Sequence, residues 1–538
     1  MSGKTLVIND IFIQFQDKLK IEEYFQYIGV SGDIVGEIEV FCDSKPNIKF
    51  KVTISDVYPL KNVSLESISF VNKELIKYDH INGDGSICFT SLTSPYIEYK
   101  LEQDILAMLE WVDKYYVQEL DDGHFEYLMH KRLDINSVFL FCDCKNELVT
   151  DDFGISYFSK QAESDSKRTF LLQGFKSYVD NSKNNFEWSS VYRNPDRILK
   201  GLYYISKTIP VHIRNFAFNN WQDLEKVLTP HFLKFLNDIK RHIDKRHLLD
   251  GKFIMFFYGY PIQEGKINFE SIKVDITKIP VSKEGLINQE IVWSKTVDST
   301  YDMFFGRGKF SNEITDKKIL ILGVGAVGSL LSESLARGGC KQIALADADM
   351  KEVGNICRSK YNFLHGEKLK VDELKLSLIS ISPFVEISIM PNYLLPSNLS
   401  EDKNGKEATS KLLDNFDYVF NCTANNDVSI ILDGLELETN VISISISNHA
   451  RELLCFIGNK EIYETTSEIY NTISQDTEDM FNPQGCWSPT FKASHHNIST
   501  LVNYALSNLD YKLKNRKPLN TFLLEVNEDD NYTIKLKD

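Results

Sequence analysis

The sequence predicts a multidomain protein that joins an α+β domain to an α/β domain. Three observations carry that class. The chain has 538 residues, a length that makes room for roughly three to four separate cores. Its first part alternates apolar and polar residues as half-buried antiparallel strands do. From Lys318 onward apolar runs alternate with helical stretches, the pattern of a parallel, doubly wound sheet. We place the domains at 1–130, 131–300 and 301–538.

In the first domain, "IVGEIEVF" at 34–41 and "IKFKVTI" at 48–54 flank the turn "DSKPN". Ile48, Phe50, Val52 and Ile54 share one face, so an antiparallel meander is expected. "DVYPLKN" then breaks the pattern, because proline cannot donate to a strand ladder. Beyond "HINGDGSICF", Leu101, Ile105, Leu109, Val112 and Tyr116 recur at helical spacing. Residues 131–300 mix charged helical segments with aromatic strands and hold no catalytic constellation, so they read as a connecting domain. In the third domain "KILILG", "QIALAD", "EISIM", "DYVFN" and "VISISI" suit strands covered on both faces. The polar stretch at 400–411 and the acidic one before Cys486 are expected to be mobile surface insertions.

A net charge of -16 argues against nonspecific binding to nucleic acid or an anionic membrane, since both reward dense Lys and Arg. The start "MSGKTLVIND" carries no signal-peptide pattern, and no run of about 18 apolar residues is available to span a bilayer. The nine cysteines include no CxxC pair, which disfavours both a disulfide framework and a structural zinc. A cytoplasmic protein with mostly buried thiols is expected.

"ILILGVGAVGSLLSESLARGG" places Gly323, Gly325 and Gly328 as G-x-G-x-x-G between a strand and a helix. Glycines allow the tight turn and close approach to phosphate, and the helix N-terminus offers unpaired N–H groups. The next strand ends with Asp347 and Asp349, either of which can accept from ribose hydroxyls. Alone, this fits an NAD-binding domain. Asn355, Arg358 and Lys370 follow closely; an enzyme that splits ATP between its α- and β-phosphates needs such cations to neutralise charge. The residues favour ATP and leave NAD as the alternative.

This order of glycine loop, DxD, N-x-x-R and Lys resembles the ThiF-type adenylating enzymes, which include ubiquitin-activating and molybdopterin- and thiamine-pathway activating proteins. The resemblance spans about 301–538. It implies Mg-ATP-dependent adenylation of a protein's C-terminal carboxylate, usually by a dimer. It also implies that Asp347 holds the ribose while Asn355, Arg358 and Lys370 contact the phosphates. Many relatives end the next strand in Asp-Ala-Thr-Asp, with the last Asp near the metal. Here Asn421 and Ala424 stand at the acidic positions, and Asp427 is the substitute expected near magnesium. An adenylate is an activated acyl donor that a thiolate can trap. Cys486, in "PQGCWSPTF", lies where relatives place their thioester-forming cysteine.

The first domain resembles the ubiquitin-conjugating fold: a meander, a Tyr-Pro element, a His-x-Asn signature, Gly-Ser-Ile-Cys and a later helix. Ile81 stands where that signature has proline. The resemblance implies that Cys88 accepts the acyl group, that Asn82 stabilises the oxyanion, and that His80 is structural. Together the two ends resemble the bacterial activating–conjugating fusions of cyclic-oligonucleotide antiphage (CBASS) operons. In those, the conjugated protein is a cGAS-like nucleotidyltransferase, passed from Cys486 to Cys88 and on to an amine of a target. Other readings are a separate bacterial ubiquitin-like modifier as substrate, an N-terminal domain that only presents substrate, and an NAD enzyme with a noncatalytic N-terminal module.

Overall fold

The computed structural model describes residues 3–28, 32–63, 65–123, 125–163, 167–193, 195–239, 244–279, 281–282, 285–363, 368–390, 403–473, 479–482, 489–527 and 531–537. No helix among them is long and apolar enough to cross a membrane.

The chain opens with helix α1 (Gly3–Gln14), then strands β1 (Leu19–Ile28), β2 (Asp33–Val40), β3 (Ile48–Ile54) and β4 (Ile68–Val71). The strands form an antiparallel meander in that order. Period-2 alternation turns Ile48, Phe50, Val52 and Ile54 into the core. There they meet Ile8, Ile11 and Phe12 of α1 and Leu101, Ile105 and Met108 of α2 (Ile97–Trp111). Buried Asn9 fixes α1 to β1: its amide donates to the Thr5 and Phe25 carbonyls and its oxygen accepts from Phe25 N–H.

The middle of the chain is mostly β. Its strands are β5 (Leu133–Phe141), β6 (Phe153–Glu163), β7 (Arg168–Ser177), β8 (Lys183–Asn185) and β9 (Ile198–Ile205). They continue with β10 (Phe253–Gln263), β11 (Lys266–Asp275) and β12 (Trp293–Asp298). The order β5-β12-β11-β10-β9-β6-β7 closes on itself through a parallel β7–β5 pairing, with β8 added to β7. Alternation then fills two cores. Phe139, Phe158, Phe170 and Phe257 pack inside the ring. Leu202, Phe256 and Tyr258 face outward onto Trp221 and the helix Pro230–Ile239.

In the third region β13 (Lys318–Leu322) leads through α3 (Ala326–Arg337) to β14 (Gln342–Ala346), and α4 (Lys370–Ile381) leads to β15 (Glu386–Ile389). Strands β16 (Tyr418–Asn421), β17 (Asn440–Ile446), β18 (Glu452–Gly458), β19 (Phe522–Asn527) and β20 (Thr533–Lys537) follow. The sheet order is β15-β14-β13-β16-β17-β18-β19-β20. The first five strands are parallel, as the apolar runs predict, but β18, β19 and β20 are antiparallel additions. Helix Ala326–Arg337 buries Leu330, Leu331 and Leu335, each worth roughly 1.5–3 kcal/mol of transfer from water.

Two expected insertions are in part regular structure. Lys403–Leu413 and Ile462–Thr472 are helices. Leu413 and Ile462 lie in one apolar cluster, so a single apolar stripe anchors each otherwise polar helix.

Candidate functional site

The chain reverses direction across the sheet beside β13: β14 flanks it on one side and β16 on the other. Open α/β sheets bind ligands at such a switch point, outside the carboxyl ends of the strands. Gly323, Asp347 and Thr423 all lie just past those ends, since Leu322 is level with Ala346 and Asn421.

Each glycine of the loop meets a different demand. Gly323 has φ +78°, and a Cβ there would fall 2.8 Å from the Thr423 Cα. At Gly328 a Cβ would fall 2.0 Å from the Gly323 carbonyl oxygen, so this glycine lets α3 pack onto the strand end. Gly325 caps α3 and has nothing within 4 Å of a Cβ. It faces open space at a helix N-terminus, the cradle an anionic phosphate would fill.

Asp347 braces that cradle: one carboxylate oxygen accepts from Val324 N–H (2.8 Å) and the other from Asp349 N–H (2.8 Å). Asp349 is the more exposed carboxylate and pairs with Lys370 Nζ at 2.8 Å. Lys370 itself is buried. The structure therefore brings Asp347, Asp349, Lys370 and the glycine loop together at one edge.

Asn355 and Arg358 sit on the next loop. The Asn355 side chain accepts from Glu352 N–H (3.0 Å) and caps the short helix Val353–Ile356. Arg358 donates to the Phe491 carbonyl (2.9 Å). Two residues that sequence reasoning missed hold this loop. Lys351 Nζ pairs with Glu373 at 2.6 Å, both buried, and donates to the Asn362 carbonyl. The other Glu373 oxygen accepts from Asn362 N–H (2.7 Å). Glu373 could be read as a charge on the buried face of helix Lys370–Ile381, whereas Lys351, outside any helix, carried no such signal.

On the β16 side, buried Asn421 accepts from Thr423 N–H and Oγ1 and donates to Ser443. It is thus occupied as a structural amide. Ala424 offers no metal ligand, and Asp427 is an exposed carboxylate in the first turn of helix Asn426–Asp433. One exposed carboxylate suits magnesium carried on phosphates, since that ion keeps few protein ligands. The described residues contain one preformed three-carboxylate group, Asp79, Asp121 and Asp122, and it lies in the N-terminal half of the chain.

Cys486 lies outside the described residues. Outside that stretch, Phe481 and Thr490 exchange two backbone hydrogen bonds of 2.9 Å. Asp479 joins His449 (3.0 Å) and Lys492. Phe491, beside this bridge, is the residue whose carbonyl Arg358 holds.

Cys88 ends a small hairpin. Ile81 bridges Ile87, and Cys88 N–H donates to the His80 carbonyl at 2.7 Å. The turn needs Gly85, at φ +86° and close against the Lys73 backbone. Cys88 is exposed, and burial of its sulfur together with the Glu126 charge raises its thiol pKa. The Asn82 amide donates across the turn to Ser86 Oγ (3.0 Å); no hydrogen bond joins it to Cys88 among the described residues. His80 is held by Asp122 (2.8 Å) and Glu126 (3.3 Å). Contacts with the barrel side also reach this hairpin: Arg214 pairs with Asp79, and Gly83 faces Met129.

The glycine-loop edge lies at the strand ends of a doubly wound α/β domain, the place where such sheets bind ligands. Residues 302–490 match the model of the ThiF family, and the mixed α/β content of this stretch fits that fold. The chain is 24% identical over 362 residues to the "ATP-dependent ubiquitin transferase-like protein Cap2" of Enterobacter hormaechei subsp. hoffmannii (strain UCI 50), covering 60% of this chain and 58% of that one. It is 27% identical over 139 residues to the "Adenylyltransferase and sulfurtransferase UBA4" of Lodderomyces elongisporus, covering 24% and 28%. It is 29% identical over 120 residues to the "Molybdopterin-synthase adenylyltransferase" of Haemophilus influenzae, covering 22% and 44%. The chain thus spans less than two thirds of each of these relatives.

Proposed function

We propose that the chain uses Mg-ATP to activate the C-terminus of a protein and conjugates that protein to an amine through two cysteines. The carrying observation is the glycine cradle at the switch point, with Asp347, Asp349 and Lys370 gathered at its mouth. The ThiF match and the adenylyltransferase relatives support the same first step.

In that step a carboxylate oxygen of the substrate protein attacks the α-phosphorus, the Pα–O–Pβ bond breaks and pyrophosphate leaves. N–H groups at the start of α3 receive phosphate oxygens, Asp349 and Asp347 accept from the ribose, and Lys370 exchanges Asp349 for phosphate. Arg358 neutralises the departing charge. Asp427 would hold magnesium together with the phosphates, supplying charge neutralisation.

The Cys486 thiolate then attacks the acyl carbon and AMP leaves. The Cys88 thiolate displaces Cys486, and a target amine, a lysine in our reading, displaces Cys88 to leave an isopeptide. Exposure of Cys88 supports this reading, as does the meander-and-helix architecture around it. Burial and the Glu126 charge raise the Cys88 thiol pKa, so little of it is thiolate at rest. Asn82 stabilises the oxyanion if the loaded turn releases it from Ser86. The likeness to an ATP-dependent ubiquitin transferase-like protein supports conjugation; a cGAS-like nucleotidyltransferase as the conjugated protein and a dimer through the adenylation domain belong to our reading of the resemblance.

ATP–pyrophosphate exchange tests activation. Incubation with ATP and the nucleotidyltransferase should give a reductant-sensitive adduct lost in Cys486→Ala, and a reductant-resistant product lost in Cys88→Ala. Conjugation intact in Cys88→Ala refutes the relay; nicotinamide binding without exchange refutes adenylation.

A further inference from the structure

The Cys88 hairpin sorts its side chains onto two faces. Its arms bridge at Ile81 and Ile87, with Cys88 N–H on the His80 carbonyl (2.7 Å) and Asn82 N–H on the Ser86 carbonyl (2.8 Å). Asn82 therefore stands opposite Ser86, and Cys88 follows Ser86 by two residues. Alternation sends Ile81 and Ile87 into the core, where both are buried. Asn82, Ser86 and Cys88 share the opposite face, on which Asn82 and Cys88 are exposed. Asn82 is there the diagonal neighbour of Cys88, a relation that puts side chains about 7–8 Å apart at their base. Ser86 lies beside both.

The hydrogen atoms available fix how the Asn82 amide is turned. Asp84 Oδ1 accepts the Ser86 hydroxyl (2.7 Å) and the Ser86 N–H (2.9 Å). The hydroxyl bond first, and the N–H bond after it, hold the Asp84 carboxyl below the usual carboxylate range. At neutral pH it is ionised and only accepts. A hydroxyl has one hydrogen, and Asp84 takes it. Ser86 Oγ therefore meets the Asn82 amide, 3.0 Å away, as an acceptor. The Nδ2 end of the amide must face it, because the Oδ1 end would set two acceptors against each other.

We propose that Asp84 and Ser86 are positioning residues for acyl transfer at Cys88: they hold Asn82 with its N–H edge, not its carbonyl edge, on the face that carries the thioester. The role rests on the reading of Asn82 as the oxyanion donor. When the amine attacks the thioester carbon, the carbonyl oxygen takes up negative charge. A charged acceptor is stronger than a hydroxyl, so it draws an Asn82 N–H from Ser86 without the amide turning over. The amine then loses its proton to water, the C–S bond breaks, and its electron pair leaves on the Cys88 sulfur.

For the test, the full chain is charged by exchange with a fluorescein-labelled peptide thioester, and single-turnover discharge to free lysine is followed. The label on Cys88 is the part missing from Cys88→Ala. Asn82→Ala should slow discharge about 10²–10³-fold. Ser86→Ala should slow it about tenfold or more by misplacing the amide, while Ser86→Thr, which keeps the hydroxyl, should stay close to wild type. The losses should also be interdependent: Ser86→Ala added to Asn82→Ala should slow discharge no further, whereas a merely structural role would add its full loss. Additive losses overturn the positioning role, as does wild-type discharge by Ser86→Ala while Asn82→Ala is slow. Wild-type discharge by Asn82→Ala overturns the oxyanion reading of Asn82, and the positioning role with it.

Discussion

The glycine loop separates two jobs, and single alanines should pull them apart. In Gly328→Ala the new methyl would lie 2.0 Å from the Gly323 carbonyl oxygen, about 1.4 Å short of the 3.4 Å at which contact becomes ordinary. The obstacle is the Gly323 backbone on one side and the Cys422 Cβ, 3.3 Å away, on the other, so neither yields as the far end of a flexible side chain would. Overpacking of this kind costs about 1–3 kcal/mol. For a domain of this size each kcal/mol lowers the melting temperature by about 2–4 °C, so calorimetry should find this domain's transition about 2–12 °C lower. In Gly325→Ala nothing in the protein lies within 4 Å of the methyl. Loss of the glycine cap should cost about 1 kcal/mol or less. The methyl occupies the cradle, however, so ATP affinity should fall about tenfold or more, equivalent to about 1.4 kcal/mol. Undiminished ATP binding by Gly325→Ala, or a wild-type transition for Gly328→Ala, refutes this division.

Three other outcomes are expected. Lys351→Met leaves Glu373 buried without its cation and should destabilise the third domain by about 3–5 kcal/mol in urea unfolding, whereas Lys351→Met with Glu373→Leu should recover most of it. Glu126→Gln removes a charge that raises the Cys88 thiol pKa, so alkylation of Cys88 at mildly alkaline pH should quicken; burial still keeps the thiol above its ordinary value. Burial pushes the Glu66 carboxyl upward, but hydrogen bonds from Lys100 and Lys61 outweigh it and hold the carboxyl below its usual range. A depressed folded-state pKa gives stability that is present above about 4.5 and lost as pH falls through the lower folded value. Protection factors of the α2 amides, with the intrinsic pH dependence of exchange divided out, should therefore fall on acidification within that window, and a flat profile would refute it.

Much of the nucleotide edge was legible because local rules govern it. A glycine spacing, an apolar strand and a helix start lie within 21 residues of one another in "ILILGVGAVGSLLSESLARGG", and the parallel sheet follows from their repetition. The barrel was hidden because its closure depends on β5 pairing with β7 and β12, and the β12 contact joins residues far apart in the chain. No periodicity encodes such a partner. Helix Lys403–Leu413 was hidden by its polar exterior. At Cys88 the hairpin residues could be read, but their supports could not: Glu126, Arg214 and Met129 arrive from beyond the helix or from the barrel. Asn82 shows the same limit, since its partner Ser86 was set by how the turn folds.

The barrel meets its two neighbours through joints of different chemistry. Toward Cys88 the joint is ionic and polar: Arg214 on Asp79, and Asn215 on Glu126. Toward the nucleotide edge Trp188 stacks on Phe384, Tyr301 meets the same ring, and Glu386 accepts from Ser190 and Arg193. Dissolved salt screens exposed charges over roughly 8–10 Å but leaves aromatic stacking largely untouched. Asp79 is buried in its pair while Arg193 and Glu386 are exposed, so added salt reaches the ion pair beside the aromatic joint more than the one beside Cys88.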